Sequence, residues 1–287
     1  MPTQNTVRKA VIPAAGFGTR LQPFTNYIPK ELLPVGRKPV LGYVLDELQC
    51  AGIQDVLFIV SERKPQIQAF LGDEYYGESI ELPPLHCSYV VQTKQSGSGD
   101  AILYAEEWVA GEPFVVAFGD SIIEAPEQGS APLHRLLHTF EQQSAGAAIL
   151  VEQIAREKVF RYGVVDPLEP KREYTKPFEL RTIVEKPKVE QAPSNLVIAA
   201  RFALNPVIFD TLRETPKDVR GELNLPDAIC RLGEAGMPLW AVPIMQNEAR
   251  RDIGNFETYF ANFVRYALRD PEYGASIQKI VDLEAHK

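Results

Sequence analysis

The feature that most constrains the fold of this chain is the alternation of short apolar runs with amphipathic stretches of helical period. Such alternation is typical of strand–helix–strand units, in which successive strands lie parallel in one sheet. The sequence predicts strands at Ala10–Pro13, Val56–Val60, Ser88–Val91, Phe114–Phe118, Ala147–Val151, Gly163–Asp166, Thr182–Val184, Val197–Leu204 and Leu239–Pro243. It predicts helices at Pro39–Cys50, Gly99–Trp108, Leu133–Gln142, Pro206–Leu212, Leu225–Leu232 and Phe256–Leu268. We therefore expect an α/β fold with a mixed, mostly parallel sheet flanked by helices.

Composition and charge exclude several classes of protein. Of the 287 residues, 45% are hydrophobic and 24% are charged, which is ordinary for a globular protein and excludes a disordered chain or a fibre. The net charge of −8 argues against a broad basic face for nucleic acid, whereas a small anionic ligand needs only a few local cations. No apolar run reaches the roughly 20 residues that span a bilayer, and the polar segment Met1–Lys9 leads directly into the first predicted strand. We therefore expect a cytoplasmic protein that binds neither nucleic acid nor membrane.

A glycine-containing segment follows the first predicted strand and reads Ala14-Ala15-Gly16-Phe17-Gly18-Thr19-Arg20-Leu21. Glycines directly after a strand let the backbone approach a phosphate, whose oxygens accept hydrogen bonds from free N–H groups. Leu21 stands where a dinucleotide-binding loop has its third glycine, and no Gly-Lys-Ser/Thr follows as in a Walker A loop. Taken alone, the two glycines indicate no more than a turn.

The continuation of this segment points to chemistry. It contains Pro23, Thr25, Pro29-Lys30-Glu31-Leu32-Leu33-Pro34 and Lys38-Pro39. A proline-rich loop loses little entropy on ordering, so it can hold Arg20 and Lys30 against a triphosphate. With this continuation the segment resembles the sugar-phosphate nucleotidyltransferases, most closely the bacterial UTP–glucose-1-phosphate uridylyltransferases. The resemblance extends over nearly the whole chain.

The resemblance implies a Rossmann-like domain with a smaller sugar-side β subdomain. The nucleotide-binding half would cover about 1–151, the sugar-binding part about 152–254 and the C-terminal helices about 255–287. Arg20 and Lys30 would be catalytic. The nucleotide would be bound by the glycine segment at Ala15, Gly16, Gly18 and Thr19.

Gln92 lies at the end of a predicted strand, with Gly97 on the following loop and Gly99-Asp100-Ala101 opening a predicted helix. A glutamine amide offers both a donor and an acceptor, so it can read the edge of a pyrimidine, and a glycine opposite leaves room for the base. The resemblance implies that Gln92 and Gly97 contact the base, with Gln95 as the alternative reader. Asp100 replaces the histidine or glutamine that is usual in the family.

Two aspartates are candidates for a metal site. Asp120 follows the strand Phe114–Phe118 at its carboxyl edge, where open α/β sheets bind ligands. Asp252 precedes a predicted helix and could instead be its N-terminal cap. Carboxylates suit Mg²⁺ that bridges to phosphate. The resemblance implies that both aspartates bind Mg²⁺ and that Asp120 also contacts the nucleotide.

The candidate sugar-phosphate residues are Gly163, Glu185, Lys186 and Asn195, which the resemblance places around the sugar and its phosphate. Neighbouring residues on a strand point to opposite faces, so Glu185 and Lys186 can both reach a ligand only at a bulge or a strand end. One departure from the family is Ala200 before Arg201, where the family has a glycine. The added methyl group would either crowd the sugar or reflect local packing.

We therefore expect transfer of a uridylyl group from UTP to glucose 1-phosphate, giving UDP-glucose and pyrophosphate, with Mg²⁺ as cofactor and a homodimer or homotetramer as the assembly. One alternative is a glucose-1-phosphate thymidylyltransferase, which the chain length and the short connection into the Gln92 strand favour. The other is a non-catalytic sugar-nucleotide-binding regulator on the same fold. That regulator would be expected to lack Lys30, Asp120 or Asp252, and all three are present.

Overall fold

The computed structural model describes residues 7–78, 81–125 and 131–285, so most of the polar segment Met1–Lys9 lies outside the described residues. The strands are β1 (Lys9–Pro13), β2 (Pro34–Val35), β3 (Lys38–Pro39), β4 (Asp55–Val60), β5 (Glu74–Tyr75), β6 (Leu85–Val91), β7 (Phe114–Ala117), β8 (Ser121–Glu124), β9 (Ala147–Gln153), β10 (Gly163–Pro167), β11 (Phe178–Glu185), β12 (Leu196–Leu204), β13 (Leu239–Pro243) and β14 (Ala249–Asp252). The helices are α1 (Val40–Cys50), α2 (Pro65–Leu71), α3 (Ser98–Leu103), α4 (Glu106–Val109), α5 (Ala131–Gln142), α6 (Ile208–Glu214), α7 (Leu225–Glu234), α8 (Phe256–Leu268) and α9 (Gly274–Ala285).

The described residues form a ten-stranded sheet in the order β10-β11-β13-β9-β12-β7-β1-β4-β6-β5. β1 pairs in parallel with β4 and β7, and β6 pairs in parallel with β4, as strand–helix–strand units require. β12 runs antiparallel to both β7 and β9, and β10 and β11 are antiparallel to each other. The expectation of a mixed α/β fold is confirmed. The mostly parallel pairing holds only for β7-β1-β4-β6 and for β9 with β13, because β12 reverses the strand direction between these two groups.

Helices cover both faces of the sheet, because its central strands are apolar on both sides. In β1, Ala10 and Ile12 pack into a buried cluster with residues of α1 and α5. Val11, which points to the opposite face, packs into a second cluster with residues of α3, α6 and α7. This three-layer arrangement turns the carboxyl ends of β1, β4, β6 and β7 toward one edge, where the loops that follow them meet.

Several element boundaries differ from those predicted. The segment Gly99–Trp108 forms two short helices, α3 and α4, with a break at Tyr104–Ala105. β6 and β11 are longer than the predicted strands, since their outer residues alternate between buried and exposed positions instead of forming an apolar run. The sequence pattern did not predict α2 or the two-stranded ribbon of β8 and β14, in which β14 is short and polar. Within the described residues, no helix is long and apolar enough to cross a membrane.

Candidate active site

The glycine loop lies at the carboxyl edge of β1 and is held at both ends. Ala14 N donates to Ile59 O at 2.8 Å, and Thr25 Oγ1 donates to Gly18 O at 2.9 Å. Gly18 has φ +64°, and a Cβ there would lie 2.8 Å from Thr25 Cγ2, so this turn requires a glycine. At Gly16, by contrast, a Cβ would meet nothing within 4 Å. The loop is therefore anchored at its ends and open in its middle, where an anion can approach the backbone.

The loop continues into three short 3₁₀ helices, of which the first, Thr19–Leu21, carries Arg20 and the third, Lys30–Leu32, carries Lys30. Lys30 forms an ion pair with Asp120, which follows β7. The sequence predicted each of these residues separately, and the fold brings them into contact because β1 and β7 are neighbouring parallel strands.

A buried lysine that the sequence did not predict as a site residue links the glycine loop to the segment of Lys30. Lys64 Nζ lies 3.0 Å from Glu31 Oε2 and donates to Ala14 O at 2.8 Å, and both side chains are buried. Lys64 thus ties the start of the glycine loop to the segment that carries Lys30. The available signal was its position just after β4, at the same carboxyl edge as the glycine loop.

The charges of Lys30 and Asp120 stabilise each other. Burial disfavours the ammonium of Lys30, but the carboxylates of Asp120 and Glu31 outweigh this effect and raise its pKa above the ordinary value. Burial likewise disfavours the carboxylate of Asp120, but Lys30 outweighs it and lowers the pKa of Asp120. Both groups are therefore charged at neutral pH, and the pair lies close to the glycine loop.

Asp252 reaches the same place through the ribbon of β8 and β14. In this ribbon Asp252 pairs with Ser121, and Ile253 N donates to Asp120 O at 3.2 Å. The alternative that Asp252 caps α8 is wrong, because the cap is Asn255, whose Oδ1 accepts from Thr258 N at 3.1 Å. Asp252 Oδ1 instead accepts from Gly254 N at 2.7 Å.

Asp252 lies close to both a carboxylate and a cation. A Cβ at Gly254 would lie 2.9 Å from Asp252 Oδ1 and 3.1 Å from Arg20 Nη2, so both side chains approach the backbone at Gly254. Burial and the nearby Asp120 raise the pKa of Asp252, although Arg250 and Arg20 oppose the shift. Two facing carboxylates of this kind are stabilised by a cation between them.

The two aspartates would need further ligands to complete a metal site. Among the residues that the structure describes, no group of three or more His, Cys, Asp or Glu side chains could hold a metal ion. Mg²⁺ takes oxygen ligands and keeps several waters, and protein sites commonly supply one or two carboxylates while substrate phosphates supply other ligands. Asp120 and Asp252 fit that donor set.

Gln92 lies at the carboxyl end of β6, where its side chain is buried and its backbone N–H donates to Val60 O at 2.8 Å. Its Nε2 donates to Asp100 Oδ2 at 2.6 Å. Gln95, the alternative base reader, donates its Nε2 to Gln92 O at 3.1 Å. Its amide nitrogen is therefore engaged within the loop.

Gly97 has a structural reason to be glycine. Its φ is +109°, and a Cβ would lie 2.3 Å from Leu223 O. The backbone at Leu223, which precedes α7, therefore lies where the side chain of a larger residue at position 97 would be. Gly97 is needed for this close approach and not only to leave room for a base. A contact between the base and the backbone of Gly97 stays a prediction.

The sugar-side candidates converge on β12. Gly163 pairs with Glu185 across β10 and β11, and a Cβ at Gly163 would lie 2.7 Å from Ile198 Cδ1 and 3.1 Å from Glu185 Oε2. β11 ends at Glu185 and Lys186 follows with φ +46°, so the two residues stand at a strand end, while their contact with a ligand stays a prediction. Lys186 Nζ lies 2.8 Å from Glu185 Oε1.

Asn195 precedes β12 and uses its side chain within the fold, where Nδ2 donates to Ile154 O at 3.1 Å. A role of Asn195 in sugar binding stays a prediction.

Ala200 and Arg201 occupy an irregular part of β12, where the pairing with β9 shifts register between Ile198 and Phe202. Ala200 has φ +61°, a conformation that favours glycine, so backbone geometry accounts for the glycine that the family has here. Arg201 is fully buried, and its Nη2 donates to Ser121 O at 3.0 Å.

The guanidinium of Arg201 braces the turn that carries Asp120. Its Nη1 donates to Phe118 O at 3.4 Å, on the other side of Asp120 from Ser121. Glu47 of α1 compensates the buried charge, with Oε2 2.6 Å from Arg201 Nη2. This brace was not predicted, since only the fold shows that Arg201 reaches β8.

Comparison with known proteins gives consistent results. Residues 9–268 match the nucleotidyl transferase family. The UTP–glucose-1-phosphate uridylyltransferase of Bacillus subtilis (strain 168) is 34% identical over 286 residues, covering 93% of each chain. That of Staphylococcus haemolyticus is 33% identical over 290 residues, covering 96% of this chain and 97% of the other.

Solved structures agree with these relatives in fold. The UTP-bound UGPase from Acinetobacter baumannii superposes with a TM-score of 0.84 at 28% identity, covering 96% of this chain and 98% of that chain. A UDP-glucose pyrophosphorylase complexed with UDP-glucose superposes with a TM-score of 0.80 at 29% identity, covering 91% of this chain and 98% of that chain.

Proposed function

Because this chain belongs to the nucleotidyl transferase family, we propose that it transfers a uridylyl group from UTP to glucose 1-phosphate, releasing pyrophosphate and forming UDP-glucose. The observation that carries the proposal is the convergence of Arg20, Lys30, Asp120 and Asp252 beside an open glycine loop. The names of relatives that are covered over more than nine-tenths of their length support UTP as the triphosphate.

The acceptor brings its own nucleophile. A phosphate monoester has a second pKa near 6, so glucose 1-phosphate is mostly a dianion at neutral pH and needs no protein base. One of its oxygens forms a bond to the α-phosphorus of UTP as the bond to the β-phosphate oxygen breaks, and pyrophosphate leaves with that electron pair. The protein's task is to align two anions and to stabilise the departing charge.

Cations and carboxylates divide this task. Arg20 and Lys30 hold the triphosphate, and Lys30 exchanges its ion pair with Asp120 for phosphate oxygens as the substrate arrives. Asp120 and Asp252 hold Mg²⁺, which neutralises phosphate charge when it is bound. Burial and then the nearby Asp120 raise the pKa of Asp252, and a cation at this place would relieve both effects.

Further candidate residues bind the nucleotide and the sugar phosphate. The N–H groups of the loop at Ala15 and Gly16 face the nucleotide, and Gln92 reads the uracil base. Glu185 accepts hydrogen bonds from sugar hydroxyls, and Lys186 holds the phosphate of glucose 1-phosphate. The adjacency of Glu185 and Lys186 at the end of β11 supports this division, since one substrate carries both groups that they would bind.

The test is pyrophosphate release from purified protein with glucose 1-phosphate, Mg²⁺ and a panel of UTP, dTTP, ATP and GTP. We expect UTP to give the highest kcat/KM, dTTP to follow, and both to exceed ATP and GTP. A higher kcat/KM with dTTP would favour the thymidylyltransferase alternative. Binding of UDP-glucose without turnover of any triphosphate would favour the regulator.

A further inference from the structure

Asp100 contacts the side chain that we propose reads the base. It lies in the first turn of α3, and its Oδ2 accepts from Gln92 Nε2 at 2.6 Å. We propose that Asp100 is a positioning residue that fixes the orientation of the Gln92 amide and thereby selects uracil over cytosine. This inference rests on the proposed function, because it takes Gln92 as the residue that meets the base.

The carboxylate fixes which end of the amide faces Asp100. An ionised carboxylate can only accept hydrogen bonds, so the group facing it has to be the NH₂ of Gln92. Rotating the amide by half a turn would bring two acceptors face to face, in a place where Gln92 is only 3% exposed. The side-chain oxygen Oε1 of Gln92 accordingly points away from Asp100, and within the described residues Oε1 accepts no hydrogen bond, unlike the backbone oxygen that Gln95 bonds.

The start of α3 is held firmly enough for Asp100 to do this. Gly99 N donates to Leu223 O at 2.8 Å, and Ser98 Oγ accepts from Leu225 N at 3.0 Å. The close approach of Leu223 to Gly97 adds a third contact on the same side. The three residues that precede Asp100 are therefore all held against the segment that starts α7.

An amide that presents only its carbonyl oxygen distinguishes the two pyrimidines. Uracil has an N3–H donor that can meet this oxygen, whereas the unprotonated N3 of cytosine is an acceptor. Cytosine would therefore leave two acceptors opposed and unpaired, which a buried polar site rejects strongly. Thymine shares the N3–H group, so Asp100 contributes nothing to the choice between UTP and dTTP.

The test compares kcat/KM for UTP and CTP, measured as pyrophosphate release with glucose 1-phosphate. Wild-type protein should favour UTP by at least about a hundredfold. In Asp100→Asn the new amide can donate as well as accept, so the Gln92 amide can turn over, and the UTP-to-CTP ratio should fall by about tenfold or more. Asp100→Ser, which also removes the carboxylate, should lower the ratio too if the first variant is poorly folded.

Asp210→Asn is the matched control, because Asp210 is also an aspartate in the first turn of a helix, α6, and its side chain pairs with Arg213 away from Gln92. Its UTP-to-CTP ratio should equal that of the wild type. A merely structural role of Asp100 would lower activity with both nucleotides equally and leave the ratio unchanged, which would overturn the inference. Equal use of UTP and CTP by the wild type would overturn it as well. If the wild type releases no pyrophosphate from UTP, the proposed function itself fails.

Discussion

The buried pair of Arg201 and Glu47 allows a quantitative test of how this active-site edge is held. Arg201 is fully buried, and its guanidinium also bonds to carbonyl groups on both sides of Asp120. The perturbation is Glu47→Ala. It removes the only carboxylate that pairs with Arg201 among the described residues and leaves the guanidinium in place.

The expected cost follows from the burial of the pair. An arginine stays charged in a protein, so Glu47→Ala leaves an uncompensated buried charge, which costs about 3–5 kcal/mol. Unfolding entropy of roughly 2.1 cal/mol/K per residue gives about 0.6 kcal/mol/K for 287 residues. The melting temperature should therefore fall by about 5–8 °C.

The assay is reversible unfolding by heat or urea, with Glu222→Ala as the matched control. Glu222 pairs with Arg220 at 3.0 Å, but their side chains are 42% and 51% exposed, and such pairs contribute about 0–1 kcal/mol. A loss below about 1 kcal/mol in Glu47→Ala, or an equal loss in the control, would refute the reasoning that burial makes this pair costly to break.

Three further predictions concern single residues of the site. Lys30→Ala should lower turnover and kcat/KM together, because the interaction strengthens as pyrophosphate leaves, whereas Lys186→Ala should chiefly raise the KM for glucose 1-phosphate. Steady-state kinetics with each substrate varied in turn will show this, and equal weakening of both substrates in Lys186→Ala would contradict it. Asp252→Asn should lower turnover by at least about a hundredfold and leave the unfolding free energy unchanged. Asn255→Ala should remove the helix cap, lower the unfolding free energy by about 1 kcal/mol and leave turnover unchanged. Thermal unfolding and pyrophosphate release on the same samples separate these two effects, and loss of stability alone in Asp252→Asn would reject the metal role. Gly97→Ala should lower the unfolding free energy by more than about 2 kcal/mol, because its φ of +109° and a backbone oxygen 2.3 Å from the added Cβ both oppose it, and near-wild-type unfolding would show that this turn can rearrange.

The strands buried on both faces were predictable, because a short apolar run bounded by polar residues is typical of a buried strand. β4 and β13 agree with the predicted strands to within a residue at each end. β8 and β14 escaped prediction because the four residues of β14 are half-buried and mostly charged, and their pairing depends on a contact between distant parts of the chain. The parallel pairing was overestimated because the apolar pattern of β12 does not encode its direction.

The residues of the site were likewise predictable only where the local sequence is distinctive. Motif residues such as Lys30 and Asp120 were found because their neighbours in sequence are distinctive. Lys64 and Arg201 were missed because they support the site through contacts with segments 50 and 83 residues away, which no local pattern reveals. The cytoplasmic location and the homodimer or homotetramer predicted from the sequence stay predictions.

The burial and pairing of β12 limit the motions that are open to the protein. All nine of its residues are buried, and its end at Phe202–Leu204 pairs with β7 on one side and with β9 on the other, so one buried strand joins the proposed nucleotide and sugar sides. A hinge between these sides would have to break the pairing at Phe202–Leu204, so we expect substrates to enter by movement of loops at the sheet edge. The amide hydrogens of Phe202–Leu204 should therefore exchange with solvent only when the whole chain unfolds.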